Sequence, residues 1–275
     1  MVTLRRPAPT LAPMRSLPRL APALLALALC LAAVPVLRSQ VTEPTQTIEP
    51  GSILMRMDAI SLGIDPQTTA PNQYKAVAVG TTIVSFGVTD SFDMEFGAQL
   101  FLQNTYASDT GHDETHSGVG DLSIRPKWTF WKDPASGQEA AIVPYVLIPT
   151  SSAAVGNNKV EGGVILPWSM DIAPSTKAAA MVEWDEFRNI ANTRYDTRWY
   201  GSAYLKWSLG DTLGAYVEAT LSDSTAGSST ASETLGAGAT LSVSKRFTWD
   251  LEVSKVFGSG RSSWAEVLRF RWKIL

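Results

Sequence analysis

From residue 50 to the end of the chain, apolar and polar positions alternate with a period of two rather than 3.6. Phe92, Met94, Phe96, Ala98, Leu100 and Leu102 share one parity. Asp93, Glu95, Gly97 and Gln99 take the other, with Phe101 as its apolar exception. Over 119–130, Leu122, Ile124, Trp128 and Phe130 alternate with Asp121, Ser123, Arg125, Lys127 and Thr129. Over 196–209, Trp199, Ala203, Leu205, Trp207 and Leu209 alternate with Arg198, Ser202, Tyr204, Lys206 and Ser208. Near the end, Leu268, Phe270, Trp272 and Ile274 alternate with Arg269, Arg271 and Lys273. Successive side chains of a strand point to opposite faces, so each segment reads as a strand with one apolar and one polar face.

The pattern predicts about twelve strands, at 50–60, 74–89, 92–106, 118–131, 138–149, 160–172, 176–188, 196–209, 212–222, 233–246, 247–258 and 262–274. The first also fits a short helix, and the count could then fall to ten. Most segments exceed the ~5–6 residues usual in soluble sheets and suffice for a tilted membrane-crossing strand of about 9–11. Connections alternate in length. Those at 89–91, 132–137, 173–175, 210–211 and 245–246 are short, and those at 61–73, 107–117, 150–159, 189–195 and 223–232 are long and polar. An up-and-down membrane barrel alternates in this way, and an even strand count puts both termini at the short-turn end. The expected fold is all-β: an up-and-down antiparallel transmembrane β-barrel over 50–275. Its apolar face would point outward, because closure leaves no backbone group unpaired in lipid. All nine tryptophans follow residue 127, several near predicted strand ends, as aromatic girdles would require. A soluble secreted β-domain is the competing reading.

Residues 1–39 carry five arginines and no acidic residue, with the apolar run APALLALALCLAAVPVL at 21–37. That is the pattern of a secretory signal, with cleavage expected after Ser39. Residues 40–49 then read as an exposed, polar periplasmic leader. Removing the signal takes 5 of the 23 basic residues and leaves 18 against 26 acidic ones, a formal net charge of -8. This balance argues against nucleic acid as a partner. It favours a mild preference for cations, subject to lumen geometry. The single cysteine, Cys30, excludes a disulfide framework.

If the polar face lines a lumen, the candidate lining residues are Asp121, Arg125, Lys127, Glu183, Asp185, Arg198, Lys206, Glu218, Asp250, Glu252, Arg269, Arg271 and Lys273. Opposed rows of such charges would impose a transverse field and select solutes. Alternatively, Asp250 and Glu252 pair with Arg269 and Arg271 on the next strand and narrow the barrel. His112 and His116 are four apart with carboxylates between them, a weak metal candidate because their surroundings read as loop. No catalytic residue and no cofactor is expected. An outer-membrane hydrolase is a minor alternative, since the only histidines available as a base lie in that loop.

Three stretches carry a family resemblance: FGVTDSFDME at 86–95, GVGDLSIRPK at 118–127 and VLIPT at 146–150. They resemble the outer-membrane barrels of the meta-pathway phenol-degradation family, also described as transporters. Asp121 and Lys127 match its motif positions, while Pro126 departs from the pattern and suggests a bulge. The resemblance implies passage of small molecules, apolar or aromatic ones among them, across a Gram-negative outer membrane. The expected function is a passive channel or facilitator. The alternative is a non-conducting structural or adhesive barrel that binds partners through its outer loops. Expected partners are outer-membrane lipid and lipopolysaccharide, a small solute, and the barrel-insertion machinery, which would read the final strand. That strand departs from the usual signal by ending in Leu275 rather than an aromatic.

Overall fold

The computed structural model describes residues 42–64, 74–106, 114–152, 155, 158–188, 193–225, 231–258 and 261–275. The expected signal at 1–39 lies outside them. Among the described residues thirteen strands form: β1 (Ile53–Ile64), β2 (Tyr74–Thr89), β3 (Phe92–Tyr106), β4 (Glu114–Gly118), β5 (Leu122–Asp133), β6 (Gln138–Ile148), β7 (Glu161–Ala173), β8 (Thr176–Arg188), β9 (Tyr195–Ser208), β10 (Leu213–Ser224), β11 (Ser232–Ser244), β12 (Phe247–Gly258) and β13 (Arg261–Lys273). All pairings are antiparallel. β1 pairs with both β2 and β13, and β2 also pairs with β3, so the sheet closes on itself. β4 and β5 both pair with β3 and form one stave interrupted at 119–121. The result is a closed twelve-stave antiparallel barrel. Both ends of the wall meet at the short-turn side, where Ile53 N–H donates to Leu275 O at 3.2 Å and Ile274 N–H to Ile53 O at 2.8 Å.

The faces are inverted relative to a soluble protein. Leu100, Trp128, Phe130, Val182, Trp199 and Leu235 are exposed, while Asp93, Glu95, Lys127, Asp185 and Glu252 are buried. A charged residue is almost never fully buried unless paired, so this burial already implies a partner for each in the lumen. The outward apolar belt is what lipid requires of a closed barrel. Aromatic contacts concentrate toward both ends of the belt. Phe247, Trp249 and Phe270 cluster at the short-turn end, with ring centroids 5.2–5.5 Å apart. Trp184 and Trp199 lie 6.3 Å apart toward the long-loop end.

Three local expectations are corrected. Residues 50–60 hold no helix: β1 starts at Ile53 and runs on to Ile64, into the expected loop. The expected loop 107–117 contains β4, whose Glu114–Gly118 pair against Leu102–Tyr106. In β1 the register shift between Asp58 and Ile60 changes the phase of the alternation, which Ile60, Leu62 and Ile64 then continue. β4 was hidden by its polar composition, because strand ends beyond the lipid need no apolar face. Pro126 makes no bulge. Register holds on either side of it, and this register sets Pro126 opposite Pro144 on β6. Two residues without a donor face each other, so the ladder is interrupted there but not shifted. The irregularity in β5 falls instead between Thr129 and Trp131.

Candidate functional site

The lumen is built from the inward parity of every stave together with a segment that precedes the barrel. At 49–52 the chain reverses: Ser52 N–H donates to Glu49 O at 2.9 Å, and Gly51 N–H to Gly87 O at 2.9 Å. Gly51 takes a φ of +77°, which other residues rarely adopt. A β-carbon on Gly87 would strike the Glu49 carbonyl, so glycine is also required on the opposing wall. The turn sends residues 48 to 42 back into the barrel. The expectation of an exposed leader at 40–49 is therefore corrected for 42–48. Thr42, Glu43 and Thr45 are buried. Polar side chains need hydrogen-bonding surroundings, and a charged lumen supplies them as well as water does.

The leader is fixed along its length. Near the short-turn rim, Thr47 Oγ1 donates to Asp90 O at 2.8 Å and Ile48 N–H to Asp93 Oδ2 at 3.0 Å. Deeper in, Thr45 Oγ1 lies 2.8 Å from Ser169 Oγ and donates to Glu139 Oε2 at 3.0 Å, while Thr129 Oγ1 donates to Thr45 O at 2.6 Å. At the far wall, Thr42 donates to Glu218 Oε1 through its N–H at 2.9 Å and its hydroxyl at 2.6 Å. The segment thus crosses from the β1 side of the lumen to β9 and β10.

Glu43 is the centre of this contact. Arg56 Nη1 approaches its Oε1 at 3.0 Å, Lys127 Nζ the same oxygen at 2.6 Å, and Arg125 Nη2 its Oε2 at 2.5 Å. The same three cations also reach Glu95, Arg56 at 2.9 Å, Lys127 at 3.0 Å and Arg125 at 3.2 Å. Burial by itself raises the Glu43 carboxyl. The positive charges of Arg56, Lys127 and Arg125 outweigh that and hold it well below the usual carboxylate range.

The other predicted lining residues divide into groups. Tyr145 Oη lies 3.1 Å from Glu183 Oε1 and also hydrogen-bonds Asp185, which Arg198 Nη2 meets at 2.9 Å. Tyr216 Oη donates to Asp250 Oδ1 at 2.8 Å and lies 3.0 Å from Glu252 Oε2, while Arg269 Nε donates to Asp58 Oδ1 at 2.6 Å. Lys206 and Arg271 line a cavity of about 630 Å³ beside the leader, together with Glu43, Arg56, Arg125 and Asp250. That cavity reaches the short-turn residues Pro174, Ser175, Gly210 and Asp211.

Two predicted residues stand elsewhere. Lys273 pairs with Glu49 at the short-turn rim, where that contact lowers the Glu49 carboxyl. Asp121 accepts from Ser151 N–H at 2.9 Å, near the break between β4 and β5. His112 falls outside the described residues. His116 lies on β4, with its Nε2 2.9 Å from Glu114 Oε1. Among the described residues no group of His, Cys, Asp and Glu could hold a metal ion.

Sequence reasoning missed Glu43, Arg56, Asp58, Tyr145 and Tyr216 as lumen residues. Arg56 and Asp58 carried a signal, since they alternate with Met55 and Met57. Glu43 carried none, because nothing periodic marks 40–49.

Residues 58–274 match the family described as "Putative MetA-pathway of phenol degradation". No curated protein matches the chain. Among solved structures, the COG4313 outer membrane channel from Pseudomonas putida F1 superposes with a TM-score of 0.61 at 10% identity, over 84% of this chain and 99% of that one. The translocator domain of the autotransporter NalP from Neisseria meningitidis gives 0.52 at 10% identity, over 83% and 90%. The transport unit of the autotransporter AIDA-I from Escherichia coli gives 0.51 at 8% identity, over 82% and 90%. At such identities the shared property is the fold, that of outer-membrane barrels.

Proposed function

Because this chain belongs to the MetA-pathway phenol-degradation family, we propose that it is a passive channel or facilitator for small molecules in the Gram-negative outer membrane, aromatic ones in particular. One observation carries this reading: the barrel is not filled. Beside the leader lies a cavity of about 630 Å³, reaching residues of the short turns and lined by charged and polar side chains together with Ile83, Ile165 and Phe270. Space inside a closed wall is what passive solute movement needs, and the lining charges would set selectivity. The aromatic class rests on the family's description alone. Under this reading the short turns face the periplasm, residues 1–39 are removed as a signal, and the last strand guides insertion.

The test is conductance of the folded protein in a planar bilayer, with reversal potentials in asymmetric salt. Discrete steps support an open path. The second reading is a barrel closed at rest, favoured by the seven leader residues inside the lumen. Silence from protein that still shows heat-shifted gel mobility would select it.

A further inference from the structure

The wall around Glu43 is built for a carboxylate that it does not itself contain. β1 and β5 bring Arg56, Arg125 and Lys127 together. Glu95 is the wall carboxylate that all three meet, Asp93 stands opposite Lys127 in the β3–β5 ladder, and both oxygens of Glu43 complete the set. The site is buried: Lys127 is 2% and Glu95 1% exposed. Two guanidinium groups and an ammonium converging on two oxygens is the geometry that recognises a carboxylate, by charge-assisted hydrogen bonds. The leader's other described anchors, at Thr42, Thr45, Thr47 and Ile48, use no second charge of its own, and its other carboxylate, Glu49, pairs with Lys273 at the rim. Glu43, Arg56 and Arg125 also line the cavity. A solute there reaches the cations without first passing the leader.

We propose that Arg56, Arg125 and Lys127 form a carboxylate-binding site occupied at rest by Glu43, and that a small carboxylate solute takes this seat and releases the leader. The exchange conserves charge, one carboxylate entering as one leaves. A tethered group competes at an effective concentration on the order of millimolar, so the solute acts at millimolar concentration or above. This inference rests on the channel reading only for the route by which solute arrives. Its test reads binding rather than passage, so failure of either is distinguishable.

The test places a thiol at a buried leader position, Thr45→Cys, in protein beginning at residue 40, which holds no native cysteine because Cys30 precedes it. Maleimide labelling of the purified, detergent-solubilised protein is followed at constant ionic strength, and folding is checked by heat-shifted mobility. Ten-millimolar-range benzoate (on the order of the tether's effective concentration) should raise labelling several-fold, and phenol at the same concentration should not. Glu43→Gln should raise it with no solute present. Labelling that ignores benzoate overturns the proposal, whatever Glu43→Gln does, and so does an equal response to phenol. If Glu43→Gln fails to fold, the pair Thr45→Cys and Ser169→Cys replaces it, since those hydroxyls lie 2.8 Å apart, within disulfide reach. The oxidised protein should lose benzoate binding and regain it on reduction. Unchanged binding in the oxidised form overturns the proposal.

Discussion

The two sides of the lumen satisfy buried charge in different ways. From β6 to β13 two clusters of buried charge are closed by wall residues, while Glu139 and Glu218 also accept from the leader's Thr45 and Thr42, and Arg269 also meets Asp58 on β1. Tyr145 on β6 meets Glu183 and Asp185 on β8, and Arg198 on β9 meets Asp185. Tyr216 on β10 meets Asp250 and Glu252 on β12, with Arg269 on β13 at 3.8 and 3.9 Å from them. The arrangement repeats: a tyrosine two strands before an i, i+2 acid pair, and an arginine one strand after it. Around Arg56, Arg125 and Lys127 the wall is not self-contained. Glu95 is the wall carboxylate that meets all three cations, with Asp93 opposite Lys127 in the ladder, and the second carboxylate shared by all three is Glu43 on the leader rather than on the wall. The first arrangement survives departure of the leader, while the second has its charge exposed by it. The difference separates scaffold from candidate binding site.

The sharpest way to break this comparison is to remove a cation from the incomplete side. Lys127→Met leaves Glu43 and Glu95 short of a buried partner, and unpairing a buried ion costs about 3–5 kcal/mol. Urea unfolding of the detergent-folded barrel should show a loss of that order. Protonation is a gentler version of the same break. The folded Glu43 carboxyl lies below its ordinary 4.5, so its contribution is fully present above that value and is lost as pH falls through the folded value. Urea unfolding should therefore show a loss of stability below the usual carboxylate range that Glu43→Gln no longer shows. An acid loss of the same size in Glu43→Gln would contradict the assignment.

On the side closed by wall residues, Tyr216→Phe removes one donor shared by Asp250 and Glu252. The expected cost is about 1–3 kcal/mol, with no effect on labelling of a leader cysteine. A rise in that labelling would show that the two sides are coupled. The smallest effect is expected on the outer face. Glu266 lies between the buried Ala265 and Val267, so its side chain points outward, with Val253 and Leu62 beside it in the ladders. Glu266→Gln should stabilise the barrel by roughly 1 kcal/mol or less, since acidic groups on a lipid face cost less than the ~2–4 of basic ones. Thermal melting in lipid vesicles checks the sign.

Much of this was legible because a strand's period is two and a barrel wall uses both parities. The alternation of Phe92, Met94 and Phe96 with Asp93 and Glu95 placed these residues on opposite faces, and the structure keeps them so, with Phe96 exposed and Glu95 buried. The same alternation put Arg125, Lys127, Asp250, Glu252 and Arg269 on the polar face, while the side on which that face lies followed from the signal segment, strand length and barrel closure rather than from alternation. Adjacent-strand pairing of Asp250 with Arg269 was also accessible, because β12 and β13 are neighbours in sequence and pair in register. The Tyr145 and Tyr216 contacts were not, since each crosses two strands to reach its partners and depends on barrel curvature.

The chain's local chemistry thus determined the strands, their faces and their up-and-down order, because short-range sterics and hydrophobic period need no knowledge of distant residues. Closure through β1 and β13, the break between β4 and β5, and above all the path of residues 42–48 were decided in three dimensions. Thr42, Glu43 and Thr45 are polar residues that water would satisfy equally well. Only the assembled lumen, with three cations gathered from two strands around one missing carboxylate, makes the interior the better solvent for them.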